Sequence, residues 1–356
     1  MALKDNNMEF FTKQLMEWNR RFNRREMPWK NEKDPYKIWL SEIILQQTRV
    51  EQGWAYYEKI LKKYPTLAAL AAAKETTLFK LWEGLGYYSR CRNLLFTARY
   101  IKHAYNGLFP KTYEQVLALK GIGPYTAAAI VSFAYNEPFA VVDGNVMRVI
   151  ARFMGEQTPI DTNEGKKLFQ QLADRLLDKQ YPGKYNQAIM DFGATVCKPQ
   201  LPLCADCPMA NKCKAHSKGQ VGTLPVKSKA IAVKERYIIY LIVKTPDGYY
   251  IRTRATGDIW AQLNEFISLE TEKKETPQQI IHSKVIASIL PGEYKLIAYS
   301  DWQQQKLTHR TVHVLFMQVE IKKPYVIPTY TLKSKKQIAR LAFPKIIQHY
   351  IKNIEW

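Results

Sequence analysis

Nowhere in its 356 residues does this chain carry a run of 18 apolar residues, so no membrane-spanning helix is expected. The opening stretch, MALKDNNMEFF, lacks the apolar core of a secretory signal. The expectation is an intracellular protein, cytoplasmic and nucleoid-associated if the source is bacterial. Long repeats and low-complexity tracts are missing as well. Acidic residues are scarce: 32 Asp and Glu stand against 53 Lys and Arg, a formal net charge of +21. Such an excess favours a polyanionic partner, which gains long-range attraction and counterion release. Cysteine is scarce too, but four of the five fall between positions 197 and 213. In an intracellular chain that crowding points to metal rather than to disulfides.

What is present suits a packed globular protein. Hydrophobic residues make up 46% and charged residues 24%, and the length suits two domains. Residues 1–215 read as mostly helical. Asp34-Pro35 opens a helix, because Asp can cap and Pro fits the first turn. Ile38, Trp39, Ile43, Ile44 and Val50 continue it as an apolar stripe. Thr112 with Gln115 has the spacing of a capping box. Gly121-Ile122-Gly123 ends that helix, and Pro124 opens the next. Residues 216–234 read as a basic linker, able to lie along phosphates or to act as a solvated spacer. Beyond it Tyr237–Val243, Tyr249–Arg252 and Val312–Val319 read as strands, with a turn at Pro246-Asp247-Gly248. Helices are expected near Pro277–Leu290 and Lys336–Ile351. Residues 235–356 therefore form a second, α+β domain.

Cys197, Cys204, Cys207 and Cys213 are separated by six, two and five residues. Four thiolates in one short loop can close around a tetrahedral zinc or an iron–sulfur cubane, and spacing alone leaves both open. Cys91 lies apart, in a helical, arginine-flanked context, as a core or surface thiol.

Three further features carry chemistry. In Leu119-Lys120-Gly121-Ile122-Gly123 the glycines permit a tight turn and leave N–H groups bare at a helix N-terminus. That makes a phosphate cradle, or else an ordinary packing turn. Asp143, in VVDGNV, reads alone as a helix cap. Glu42, in SEIILQQT, sits among apolar neighbours on a helix. Burial there would raise its pKa and keep a proton on it, unless it is simply a structural ion pair.

Together SEIILQQTRV, WEGLGYYSRCRNL, LKGIGPYTAAAI, VVDGNVMRV, NQAIMDFGATVC and the four cysteines occur in one order. This resembles the helix–hairpin–helix glycosylases with an iron–sulfur loop, and within them the MutY family of adenine DNA glycosylases. The resemblance is strong over residues 5–215 and looser beyond. It implies a mainly α helix–hairpin–helix catalytic domain, with the hairpin at 112–135 and the iron–sulfur loop at 197–213. A Nudix-like (MutT-like) α+β domain follows. The implied cofactor is one [4Fe–4S] cluster on the four cysteines. The implied partner is double-stranded DNA carrying adenine opposite 8-oxoguanine or guanine, met by a monomer.

The resemblance also implies roles. Glu42 matches the general acid that protonates adenine, and Asp143 the carboxylate that stabilises the oxocarbenium-like sugar. Tyr125 matches the residue that supports Glu42, and Asn145 one that orders the Asp143 site. Gly121 and Gly123 match the phosphate cradle. Lys30, Leu45 and Gln187 match the adenine pocket, with Lys30 standing where the family usually has Arg. Gln47 and Tyr87 match residues that wedge into the duplex, and Thr48 and Leu85 neighbouring contacts. A structural reading of Tyr87 is a core aromatic at a helix end. Thr308 and His309 match the pair that reads oxidised guanine, although Leu307 replaces the family's aromatic. Ala261–Phe266 departs from the usual Gly-Leu-Trp-Glu-Phe-Pro, and no Glu-rich Nudix helix is present, so this domain is expected to recognise rather than catalyse.

Two alternatives stand beside this reading. A bifunctional glycosylase/lyase of endonuclease III type would carry a catalytic Lys two positions after Gly123, where this chain has Tyr125. A non-enzymatic DNA-binding iron–sulfur protein would need neither Glu42 nor Asp143.

Overall fold

Local caps set the helix starts of the N-terminal half. Asp34 accepts from the Tyr36 N–H ahead of helix Pro35–Leu45. Thr112 accepts from Gln115 N–H ahead of Tyr113–Leu117. Pro124 occupies the first turn of Pro124–Tyr135. Each satisfies, or does without, an amide that the first turn leaves unpaired. The computed structural model describes residues 2–228, 233–307 and 309–354. No helix among them is long and apolar enough to cross a membrane.

The chain divides into two units, Met1–Ala73 with Asn93–Ala230, and Lys74–Arg92 with Ile231–Trp356. Sequence patterning places the boundary near 215 and keeps 74–92 with the helices before it. The contacts group that segment with the C-terminal residues instead.

The first unit is helical. Phe11 of helix Ala2–Arg21 meets Phe153 with ring centroids 4.8 Å apart. Trp18 meets Phe192 edge-on at 5.0 Å. Each such side chain contributes roughly 1.5–3 kcal/mol on burial. Helix Pro35–Leu45 is apolar nearly all round, and Ile38, Trp39, Leu40, Ile43 and Ile44 are all buried. A helix of that kind has no solvated face, so its one carboxylate, Glu42, goes inside with it. Helix Pro182–Thr195 packs directly on the start of helix Gly144–Met154. A Cβ added at Gly193 would lie 2.8 Å from the Asn145 Cβ, so only Gly allows that approach.

The basic segment after the cysteines is not a free spacer over its first part. Val226 O accepts from Ile160 N–H at 3.0 Å, and Ser228 N–H donates to Asp161 Oδ1 at 2.8 Å. Leu224 O accepts from Arg152 Nε at 3.1 Å.

The second unit is built on a mixed sheet. Strand Lys234–Thr245 runs parallel to Arg310–Ile321 and antiparallel to Gly248–Thr253. Ile267–Thr271 pairs with the first of these, and Tyr294–Tyr299 and Gln303–Lys306 pair with Arg310–Ile321. Alternation explains the apolar run in the first strand. Ile238, Tyr240 and Ile242 join Phe343, Ile347 and Tyr350 on one face. Ile239, Leu241 and Val243 join Ile280, Ile286 and Leu290 on the other. A strand covered on both faces needs no polar positions. The expected helices form as Pro277–Ile281, Lys284–Ile289, Lys335–Ile338 and Lys345–Lys352.

Candidate active site

Glu42 is 6% exposed and lies against Tyr125, whose hydroxyl hydrogen-bonds its carboxyl. Burial is the larger influence and pushes Glu42 up to about 7. The Tyr125 bond pulls it down, and the charge of Asp143 pushes it up again. A carboxyl so placed keeps its proton near neutral pH. The Tyr125 hydroxyl is itself pushed up, by burial first and then by the two carboxylates. It also lies 3.3 Å from Met190 Sδ.

Asp143 stands in a different setting. It caps helix Gly144–Met154, accepting from Val146 N–H at 2.7 Å. Asn145 Nδ2 donates to its other oxygen at 2.8 Å. Burial raises Asp143, while these bonds and the nearby Arg148 hold it back. The helix N-terminus adds partial positive charge. The cap reading and a site role therefore fall on the same residue.

A cleft of about 240 Å³ opens beside Glu42, lined also by Trp29, Ser41, Phe133 and Gln187. Lys30 does not line it. Its ammonium donates to Arg25 O at 2.6 Å and pairs with Asp191 at 3.3 Å. Leu45 ends its helix packed on Gly53. Gln47 is exposed and takes a left-handed backbone, φ 56°. Thr48 closes the same turn, its N–H donating to Leu45 O.

In the hairpin, Gly121 has φ 83°. A Cβ there would meet Asn93 at 2.7 Å, so the turn needs Gly twice over. Gly123 caps helix Pro124–Tyr135 with no side-chain partner, leaving the first amides for an anion.

In the second unit, Leu85, Tyr87, Trp260, Leu307 and His309 line a cleft of about 640 Å³. Tyr87 is 47% exposed at φ 47°, which is an exposed ring on a strained backbone rather than a core aromatic. Arg92 Nη1 donates to Ala261 O at 3.1 Å and to Gln262 Oε1 at 2.8 Å, fixing one wall. Thr308 lies outside the described residues.

Cys197, Cys204, Cys207 and Cys213 all line one cavity of about 30 Å³. Among the described residues no three His, Cys, Asp or Glu side chains are set as ligands of a single metal ion. Burial pushes the Cys207 thiol up to about 11, and Cys204 and Cys213 upward too. Four cysteines sharing one cavity have the chemistry of a metal-binding donor set. Cys91 is fully buried and apart from them, and burial pushes its thiol up.

Several organising residues escape sequence reasoning. Arg148 Nη2 donates to Asn145 Oδ1 at 2.8 Å and to Gly193 O at 2.7 Å, while its Nε donates to Cys197 O at 2.8 Å. One guanidinium thus ties the Asp143 neighbourhood to the cysteine loop. Arg152 Nη1 reaches Cys197 Sγ at 3.4 Å and Lys198 O at 2.7 Å. Asn186 holds the segment leading to Asp143, through Phe139 O at 2.8 Å and Val141 N–H at 3.2 Å. The available signal was two arginines four apart in the apolar run VMRVIARFM.

Residues 40–175 match the model of the HhH-GPD superfamily base excision DNA repair proteins. The adenine DNA glycosylase of Buchnera aphidicola subsp. Baizongia pistaciae is 32% identical over 308 residues, covering 85% of this chain and 84% of that protein. The adenine DNA glycosylase of Mus musculus is 40% identical over 228 residues, or 60% of this chain and 44% of that one. Among solved structures, a thermostable thymine-DNA glycosylase matches with TM-score 0.56 and 29% identity, over 60% of this chain and 99% of its own. Endonuclease III in a non-covalent DNA complex matches with TM-score 0.51 and 20% identity, over 60% of this chain and 97% of its own, a likeness of fold. Motif order, hairpin, buried Glu42 and the relative matched over most of both chains agree: this chain belongs to the adenine DNA glycosylase family of base-excision repair enzymes.

Proposed function

We propose that the protein removes adenine from duplex DNA where it stands opposite 8-oxoguanine or guanine, by hydrolysis of the N-glycosidic bond without strand cleavage. The observation that carries this is the pair of carboxyls in unlike settings. Buried Glu42 holds a proton for the leaving base, and hydrogen-bonded Asp143 offers negative charge to the developing sugar cation. Tyr125 supports Glu42 from the position where a lyase needs an amine, so no Schiff base forms. Asn145 holds Asp143 in place. The cleft beside Glu42 takes a base that has left the stack, with Gln187 on its wall. The amides after Gly121 and Gly123 take a phosphate.

The second unit is read as Nudix-like, and as a recognition element. Its helices Pro277–Ile281 and Lys284–Ile289 contain no acidic residue to bind metal for diphosphate hydrolysis. Leu85, Tyr87 and His309 share its cleft, and the family resemblance gives Thr308 as the hydroxyl that reads oxidised guanine. Exposed Gln47, like Tyr87, suits wedging beside the lesion, with Thr48 and Leu85 as neighbouring contacts. Lys30 is tied to the pocket through Asp191, which it shares with the lining residue Gln187. The four cysteines would hold one [4Fe–4S] cluster. That group would brace the loop against helix Gly144–Met154, where Arg148 and Arg152 already grip it.

The test uses end-labelled duplexes with adenine opposite 8-oxoguanine, guanine or thymine, with and without alkali. Alkali-dependent cleavage at the adenine, fastest opposite 8-oxoguanine, is the expected result. Nicking of oxidised-pyrimidine duplexes without alkali, and no adenine release, would place the enzyme with the lyases.

A further inference from the structure

Asp191 has a side chain with no exposed surface, and four donors converge on it. Arg25 Nη1 and Gln187 Nε2 each reach Oδ1 at 3.0 Å. Asn23 Nδ2 reaches Oδ2 at 2.9 Å, and Lys30 Nζ reaches it at 3.3 Å. A carboxylate flanked by two cations only accepts hydrogen bonds, so the group facing it must donate. Gln187 lies four residues earlier on the same helix, one turn away, and lines the cleft beside Glu42. Its amide has two possible orientations. The reversed one would press an amide oxygen against a carboxylate oxygen with no proton between them. Asp191 therefore takes one Gln187 N–H and leaves Oε1, with the second amide hydrogen, for the cleft.

We propose that Asp191 is a positioning residue that fixes the Gln187 amide, so that the cleft selects a purine by its 6-amino group. This rests on reading that cleft as the base site. Adenine offers an amino donor at position 6 and an acceptor at N7, which match an amide oxygen and an amide N–H as a bidentate pair. Hypoxanthine places a carbonyl oxygen where the amino group would be, and two acceptors then meet. Unsubstituted purine offers nothing at position 6 and does not sense the amide oxygen.

The experiment is single-turnover base release by the intact enzyme from duplexes carrying adenine, purine or hypoxanthine opposite 8-oxoguanine. Asp191→Asn puts an amide nitrogen among donors and frees the Gln187 amide to turn. The expected result is an adenine-to-purine rate ratio about tenfold lower, the scale of one lost hydrogen bond. The swap Gln187→Glu with Asp191→Asn reverses the pair, so that 191 donates and 187 accepts, and keeps an acceptor facing the cleft. It returns the ratio to within about threefold of wild type. An unchanged ratio in Asp191→Asn overturns the proposal. So do adenine and purine rates that fall in parallel and stay low in the swap. If Asp191→Asn does not fold, the swap alone decides, since it must keep the wild-type ratio. A wild-type enzyme that releases no adenine overturns the base-site reading itself and is told apart by that result.

Discussion

Helix Pro35–Leu45 and the start of helix Gly144–Met154 each carry one carboxyl toward the same site; burial raises both, but the two differ in how many donors oppose it. The first is apolar on nearly every face, and Glu42 on it is met by the Tyr125 hydroxyl. The second offers Asp143 the Val146 amide, the Asn145 side chain and a helix N-terminus with Arg148 nearby. Desolvation is the larger influence at both, opposed by one side-chain bond at Glu42 and by several donors and Arg148 at Asp143. On the proposed reading, two residues of near-identical chemistry serve as acid and anion because their elements differ in polarity, which is the division that glycoside cleavage needs.

The largest effect is expected from removing the acid. Glu42→Gln keeps the shape and the Tyr125 contact but has no proton to give. Adenine release should fall by a factor on the order of 10²–10⁴ while duplex binding is retained, as read by single-turnover kinetics and by electrophoretic mobility shift. Release near the wild-type rate at neutral pH would remove Glu42 from its role. Next comes the anion. Asp143→Asn preserves the helix cap and removes the charge, so release should drop on the order of 10²–10³. Activity within about tenfold of wild type would mean that the sugar cation finds its partner elsewhere.

A smaller effect sharpens the contrast. Since Tyr125 lowers the Glu42 pKa, Tyr125→Phe should move the alkaline limb of the rate profile to higher pH. A limb that moves down, or not at all, would show that the hydroxyl does not act on Glu42. The smallest effect is on stability. A carboxyl ionises near 4.3 in an unfolded chain, whereas folded Glu42 does so near 7. Between those values the folded state binds more protons, so its contribution to stability is full below the lower value and lost as pH rises through the higher one. Glu42→Gln cannot ionise. It should be more stable than wild type at pH 8, by about 1–3 kcal/mol, and the gap should close toward pH 4. Thermal melts across that range check it. An equal gap at every pH would show that Glu42 is not burdened by its charge.

Much of this was legible because it is local. Asp34-Pro35, Thr112 and Pro124 mark helix starts through neighbours one to three residues away, and alternation marks the first strand through its own side chains. Glu42 was legible as an isolated acid in an apolar helix, and Asp143 as a cap. What stayed hidden depends on distant partners. Arg148 and Arg152 act on Cys197, nearly fifty residues on. Asp191 reaches back to Asn23 and Arg25. It also pairs with Lys30, which does not line the cleft. The grouping of 74–92 with the C-terminal unit, and the docking of Leu224–Ser228 on the first unit, likewise rest on contacts that no local pattern encodes.

The most direct test of the division between the two carboxyls is the wild-type rate of adenine release, under single turnover, from pH 5 to 9 on a duplex with adenine opposite 8-oxoguanine. The profile reports apparent values for the free and bound enzyme groups. A rate that holds through the acid side of neutrality and then falls above an apparent value near 7 is the predicted result. A rate that stays level or rises from pH 7 to 9 would mean that the buried carboxyl is not the proton donor.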